Sequence, residues 1–101
     1  MSAKTSAYLI IIRPVNFFIT FFTGFIAVII CLNDNFSIRI AVLVGLSAAF
    51  TAAAGNVIND IYDIEIDKIN RPGRPLPLGL ISVASAKLFY TLLVLISLAI
   101  S

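Results

Sequence analysis

Ala52-Ala53-Ala54-Gly55-Asn56-Val57-Ile58-Asn59-Asp60-Ile61-Tyr62-Asp63-Ile64-Glu65-Ile66-Asp67 joins an apolar run to a run of acids and amides with no helix breaker between them. Upstream the apolar sequence reaches back to Ile38, and downstream nothing interrupts the helical pattern until Pro72 and Gly73. A membrane-crossing helix needs roughly 20 mostly apolar residues. Residues 38–58 meet that length, and the same helix is expected to carry its polar tail to about residue 68. Two further apolar stretches lie at about 7–32 and 83–101. The expected fold class is therefore an all-α membrane protein with three transmembrane helices, at about 7–32, 38–68 and 83–101, and a stiff loop over 69–82. The last stretch is still apolar at Ser101, which raises the expectation that the chain is the front part of a longer one.

Composition supports this class. Of 101 residues, 60% are hydrophobic and 12% charged, against roughly 45–50% and about 25% in soluble domains. Seven Lys and Arg against five Asp and Glu leave +2, too little and too scattered for a nucleic-acid footprint. There is no His, which excludes a His base and a His-ligated metal. Cys31 is alone, so no internal disulfide forms. A cleaved signal peptide is disfavoured because Arg13, Pro14 and Asn16 interrupt an apolar run already too long for a signal core.

The small residues Ser47, Ala48, Ala49, Thr51, Ala52, Ala53, Ala54 and Gly55 fill the middle of the second span. They fit an interior helix closely approached by its neighbours, and equally a segment chosen for helix propensity. Basic residues cluster at Lys4 and Arg13 and again at Lys68, Arg71, Arg74 and Lys87, with Arg39 the exception. The positive-inside bias then puts the N-terminus and the 69–82 loop in the cytoplasm and the 33–37 turn outside.

Helical geometry places the polar residues. With Asn59 at zero and about 100° per residue, Asp63 falls near 40°, Asn56 near 60°, Asp67 near 80° and Asp60 near 100°. Glu65 points away, near 240°. Three carboxylates and two amides thus share one strip, roughly 12 Å long from Asn59 to Asp67. Like charges at such spacing repel, and they need cations if buried. Oxygen-only donors suit a hard ion, Mg²⁺ foremost, which fills its remaining positions with water and substrate phosphate oxygens. The other reading is a solvated acidic helix end paired with Lys68, Arg71 and Arg74.

Arg71-Pro72-Gly73-Arg74-Pro75-Leu76-Pro77-Leu78-Gly79 follows as a stiff loop expected to be non-helical. Arg on a rigid frame is suited to two-point phosphate binding. Ordinary cytoplasmic basic bias also accounts for the charges. Upstream, Arg13 and Asn16 either face the same pocket or, for Arg13, reach to lipid phosphates.

Residues 55–82 strongly resemble the UbiA superfamily of intramembrane prenyltransferases. The family's first aspartate-rich motif, N-D-x-x-D-x-x-x-D, is matched by Asn59, Asp60, Asp63 and Asp67. Its basic, Pro-rich loop ending in Gly-x-Ile-Ser is matched from Arg71 to Ser82, and its Arg-Pro-x-Asn by Arg13, Pro14 and Asn16. The resemblance implies a helical bundle in a prokaryotic plasma membrane, with a cytoplasmic active site. It implies Mg²⁺ on Asn59, Asp63 and Asp67 assisted by Asp60, these four being the expected catalytic set. Lys68, Arg71, Arg74, Arg13, Asn16 and Asn56 are the expected substrate-binding residues. The implied partners are a prenyl diphosphate donor, a lipid or aromatic acceptor and the membrane lipids. The run 55–67 looks most like the archaeal-type members that put a geranylgeranyl group on geranylgeranylglyceryl phosphate, with aromatic-acceptor members as the alternative. The family's second aspartate-rich motif has no counterpart here, since no acid follows Ser82. The 101 residues alone are therefore expected to be inactive. Outside the family, a CDP-alcohol phosphotransferase would need an Asp-Gly and an Ala-Arg before the aspartates, and both are missing. A small cation-binding membrane subunit is the non-enzymatic alternative.

Overall fold

The computed structural model describes residues 3–33 and 37–101. Asp34, Asn35 and Phe36 of the expected outer turn lie outside the described residues. Among those described there is no strand, and the order is α1 (Ala3–Ile12), α2 (Pro14–Leu32), α3 (Ile38–Tyr62), α4 (Ile64–Asn70), α5 (Pro75–Leu78) and α6 (Val83–Ile100). Three helices, α2, α3 and α6, are long and apolar enough to cross a membrane. The chain is thus an all-α membrane protein, as its hydropathy implies.

The first apolar stretch is two helices and not one. Pro14 disfavours the α conformation for the residue before it, and Arg13 sits in the left-handed region with φ 55°. Such a residue costs roughly 1–2 kcal/mol relative to a right-handed one. The chain turns there, so the span starts at Pro14 and α1 packs instead against α3 and α5.

Ser37 caps α3, its hydroxyl accepting from the Ile40 amide. Helix α3 packs between α2 and α6, which makes it the interior helix. Its crossing with α2 is set by two glycines. A Cβ on Gly24 would lie 3.2 Å from the Gly45 Cα, and one on Gly45 would lie 2.8 Å from the Phe21 carbonyl oxygen. Small residues permit such backbone approach inside a bilayer, where packing replaces hydrophobic drive. On the α6 side the contact is polar. Ser97 is buried, lies against the Thr51 hydroxyl and donates to the Ser47 carbonyl at 3.0 Å.

The expected unbroken helix to residue 68 has a step. Tyr62 ends α3, Asp63 takes φ −93° and ψ 8°, and α4 begins at Ile64. Backbone bonding nonetheless carries through, from Asp63 to Asn59 at 2.9 Å and from Asp67 to Asp63 at 2.7 Å. Residues 38–70 at 1.5 Å each give a rod of about 50 Å, which matches the molecule's long dimension of 51 Å.

The loop also differs from expectation, because Pro75–Leu78 forms one helical turn. Gly79 ends it at φ 77°, with Leu80 bonded back to Pro75 and Gly79 to Leu76. This is a Schellman closure, and the left-handed residue it requires is glycine. Ser82 then caps α6 by accepting from the Ser85 amide.

The core gathers at this end: Ala7 and Ile11 of α1, Ala53, Ala54 and Val57 of α3, Leu76, Ile81, and Ala86 and Leu93 of α6. Tyr8 meets Phe89 edge-on at 4.9 Å.

The two-glycine crossing gives a test. Gly45→Ala should destabilise the bundle by about 1–3 kcal/mol, because the new methyl meets backbone. Gly55→Ala meets nothing within 4 Å and should be neutral or stabilising by up to about 1 kcal/mol. Thermal unfolding in detergent reads both; equal midpoints would refute the close crossing.

Candidate functional site

The polar strip forms on α3 and α4, but its members are not equivalent. Asn59 and Asp63 are exposed, Asn56 is half-buried, and Asp60 and Asp67 are buried, 3% and 8% exposed. The arc is graded: its near edge is open, and its far edge lies against the elements packed on α3 and α4.

Asp60 does not stand free beside a metal site. Arg13 Nη2 donates to its Oδ1 at 3.1 Å, and Arg74 Nη2 donates to its Oδ2. The two arginines come from opposite directions, one from the α1–α2 elbow and one from the residue before α5. Arg13 and Arg74, expected among the substrate-binding residues, both have their side chains engaged on Asp60. Burying a carboxylate is tolerable when it is paired and hydrogen-bonded, and here two cations do that.

Asn56, one turn before Asp60, also serves the elbow. Its Nδ2 donates to the Ile12 carbonyl at 3.2 Å. That carbonyl closes α1, so the amide satisfies one of the acceptors a helix end leaves open. Asn16 is exposed on α2. Lys68 pairs with Glu65 at 3.0 Å on the surface, one turn apart, a contact of small energetic weight.

Three expected ligands remain: Asn59, Asp63 and Asp67, at successive turns of about 6 Å rise. Among the described residues no hydrogen bond or ion pair engages the Asp67 carboxylate, although it is buried. No group of three or more His, Cys, Asp or Glu side chains converges among the described residues. The candidate donors are two carboxylates and an amide, and Mg²⁺ is usually held by one or two protein carboxylates. The residue types fit that ion: all candidate donors are oxygens, and the Asp67 carboxylate has no counter-charge among the described residues. Arg71 is exposed, follows α4, and has no side-chain partner among the described residues.

Sequence reasoning missed the pairing of Asp60 with Arg13 and Arg74. The available signal was Pro14, which marks Arg13 as a turn position and not a mid-span residue.

Residues 17–101 match the model of the UbiA prenyltransferase family. The chain is similar to a digeranylgeranylglyceryl phosphate synthase of Methanocaldococcus jannaschii, 43% identical over 97% of this chain and 35% of that protein. It is similar to proteins of the same name from Methanococcus aeolicus, 42% identical over 100% of this chain and 37% of the relative, and Sulfolobus acidocaldarius, 43% identical over 100% and 36%. The chain spans about a third of the length of these relatives. No solved structure matches it significantly.

The elbow contact predicts a stability split. Asn56→Ala should cost about 1 kcal/mol by stripping the Ile12 carbonyl of its donor. Glu65→Gln should change stability by less than about 0.5 kcal/mol, since it breaks only an exposed pair. Chemical denaturation in mixed micelles measures both, and an equal response would remove Asn56 from the elbow.

Proposed function

The chain belongs to the UbiA prenyltransferase family, and from that premise we propose that the whole protein transfers a prenyl group from a prenyl diphosphate to an acceptor held in the membrane. The relatives' shared name favours a geranylgeranyl group as cargo and geranylgeranylglyceryl phosphate as acceptor, in ether-lipid synthesis. The observation that carries the reading is Asp67. The residue is only 8% exposed and its carboxylate has no cationic partner among the described residues, at the end of a strip whose neighbouring arginines Arg13 and Arg74 are already committed to Asp60.

Asn59, Asp63 and Asp67 would hold Mg²⁺. Bound there, the ion would draw off the negative charge that grows on the departing diphosphate. Arg71, on the loop after α4, is free to bind a phosphate by its two-point fork. Asp60 with Arg13 and Arg74 sums to one positive charge, which adds an attractive field for an anion at the same end. The apolar flanks of α2 and α6 would keep water from a developing allylic cation. The remainder of the relatives' length is where the family's second acidic motif would come from, so the 101 residues alone are expected to be inactive.

The basic residues Arg13, Lys68, Arg71, Arg74 and Lys87 lie in or beside the elements at the polar end, whereas Arg39 begins α3 at the other. By the positive-inside bias, that polar end faces the cytoplasm.

Turnover of geranylgeranyl diphosphate by the full-length protein in membranes should require Mg²⁺ and stop on chelation. Asp63→Asn should lower kcat by at least about 100-fold, while Glu65→Gln, exposed and paired only with Lys68, stays near the parent rate. Equal losses in both variants, or metal-independent turnover, would sink the assignment.

A further inference from the structure

Asp60 stands within the acidic strip, yet its environment is that of a structural anchor. Its side chain is 5% exposed, and each oxygen receives a different guanidinium. A divalent cation brought to this carboxylate would meet two fixed positive charges, which repel it in a low dielectric. Asp63 is exposed, and no guanidinium engages Asp67. The strip therefore divides into acids without a counter-charge and one acid that is already neutralised.

The two arginines explain what that acid does. Arg13 occupies a strained left-handed position at the α1–α2 elbow, a conformation that persists only where surrounding contacts hold it. Its bond to Asp60, 47 positions along the chain, is such a contact. Arg74 is the residue before α5, and its Nε is buried with no partner. The polar hold of this residue on α3 therefore runs through the single Nη2 bond to Asp60. We propose that Asp60 is a positioning residue and not a metal ligand: it clamps the elbow through Arg13 and the basic loop through Arg74, and so fixes where Arg71 stands relative to Asp63 and Asp67. Its consequence for turnover rests on the proposed function above, whereas the clamp itself does not.

A cysteine reporter tests the clamp. Leu76, two residues after Arg74, is 6% exposed, so the thiol of Leu76→Cys, in a Cys31→Ser background of the full-length protein, is shielded while the loop is clamped. Asp60→Asn and Arg74→Gln should each speed maleimide labelling at Leu76→Cys by at least about tenfold, the opening expected when a charge-assisted bond is lost. Arg74→Gln keeps the Asp60–Arg13 pair, so it still judges the clamp if Asp60→Asn fails to fold. Mn²⁺ affinity, read by electron spin resonance, should stay within about twofold of the parent in both variants and fall sharply in Asp63→Asn. The KM for prenyl diphosphate should rise in Arg74→Gln. Unchanged labelling in Arg74→Gln overturns the clamp. Loss of Mn²⁺ affinity in Asp60→Asn as deep as in Asp63→Asn overturns the denial of a metal role. If the parent protein binds no Mn²⁺ at all, the proposed function fails, and the labelling rates still decide the clamp.

Discussion

The carboxylate of Asp60, gripped by Arg13 and Arg74, is the interaction on which the arrangement of the polar end depends. Neither arginine belongs to α3, and neither has a second ion pair among the described residues. Breaking a buried pair by removing one partner leaves an uncompensated charge, which is far more costly than never having built the pair. Three elements are thus bound to one side chain: the interior helix, the elbow before α2 and the loop before α5. The short core around Ala53, Ala54, Val57, Ile11 and Leu76 packs in the same region, so apolar contact and charge pairing reinforce each other at that end.

The rest of the molecule is held differently. Toward the opposite end, α2 and α3 meet at Gly24 and Gly45, where an added Cβ would strike backbone and, at Gly45, the Phe21 ring as well. Helix α6 meets α3 through Ser97, Ser47 and Thr51. Hydroxyl bonds between helices in membranes average only about 0.6 kcal/mol, so fit at the glycine crossing matters more than any single polar contact. The outer faces of α2 and α6 remain apolar and open, with Phe18, Ile19, Phe22, Leu88, Leu95 and Leu98 all well exposed. In a bilayer such faces meet acyl chains or further helices, at no hydrophobic penalty.

Much of this was legible in the residues. Run length and polarity alone pointed to three spanning helices, because a spanning helix has a length fixed by the bilayer. The polar strip followed from the helical repeat. What eluded a linear reading was partnership. Angular position put Asp60 beside Asp63 and Asp67, but it carries no information on what packs over that edge of the helix. The bond between Arg13 and Asp60 joins residues 47 apart, and no local pattern encodes it. The elbow was only half visible: Pro14 signalled a change of direction, while the apolar residues on both sides argued for one continuous span. The turn at Pro75–Leu78 was hidden because Pro at the first helical position starts a helix as readily as it stops one.

The length of the α3–α4 rod has a consequence for how ligands reach this end. A bilayer's hydrocarbon is about 30 Å thick, and the rod is some 20 Å longer, by its rise per residue. Asn59 begins the segment that emerges from the oily layer, so α4 and the loop lie level with lipid headgroups. The polar head of a lipid beside α2 or α6 lies at that same depth. Any membrane-borne molecule then meets this end by a search in the plane of the sheet, over two dimensions and not three, without leaving the lipid.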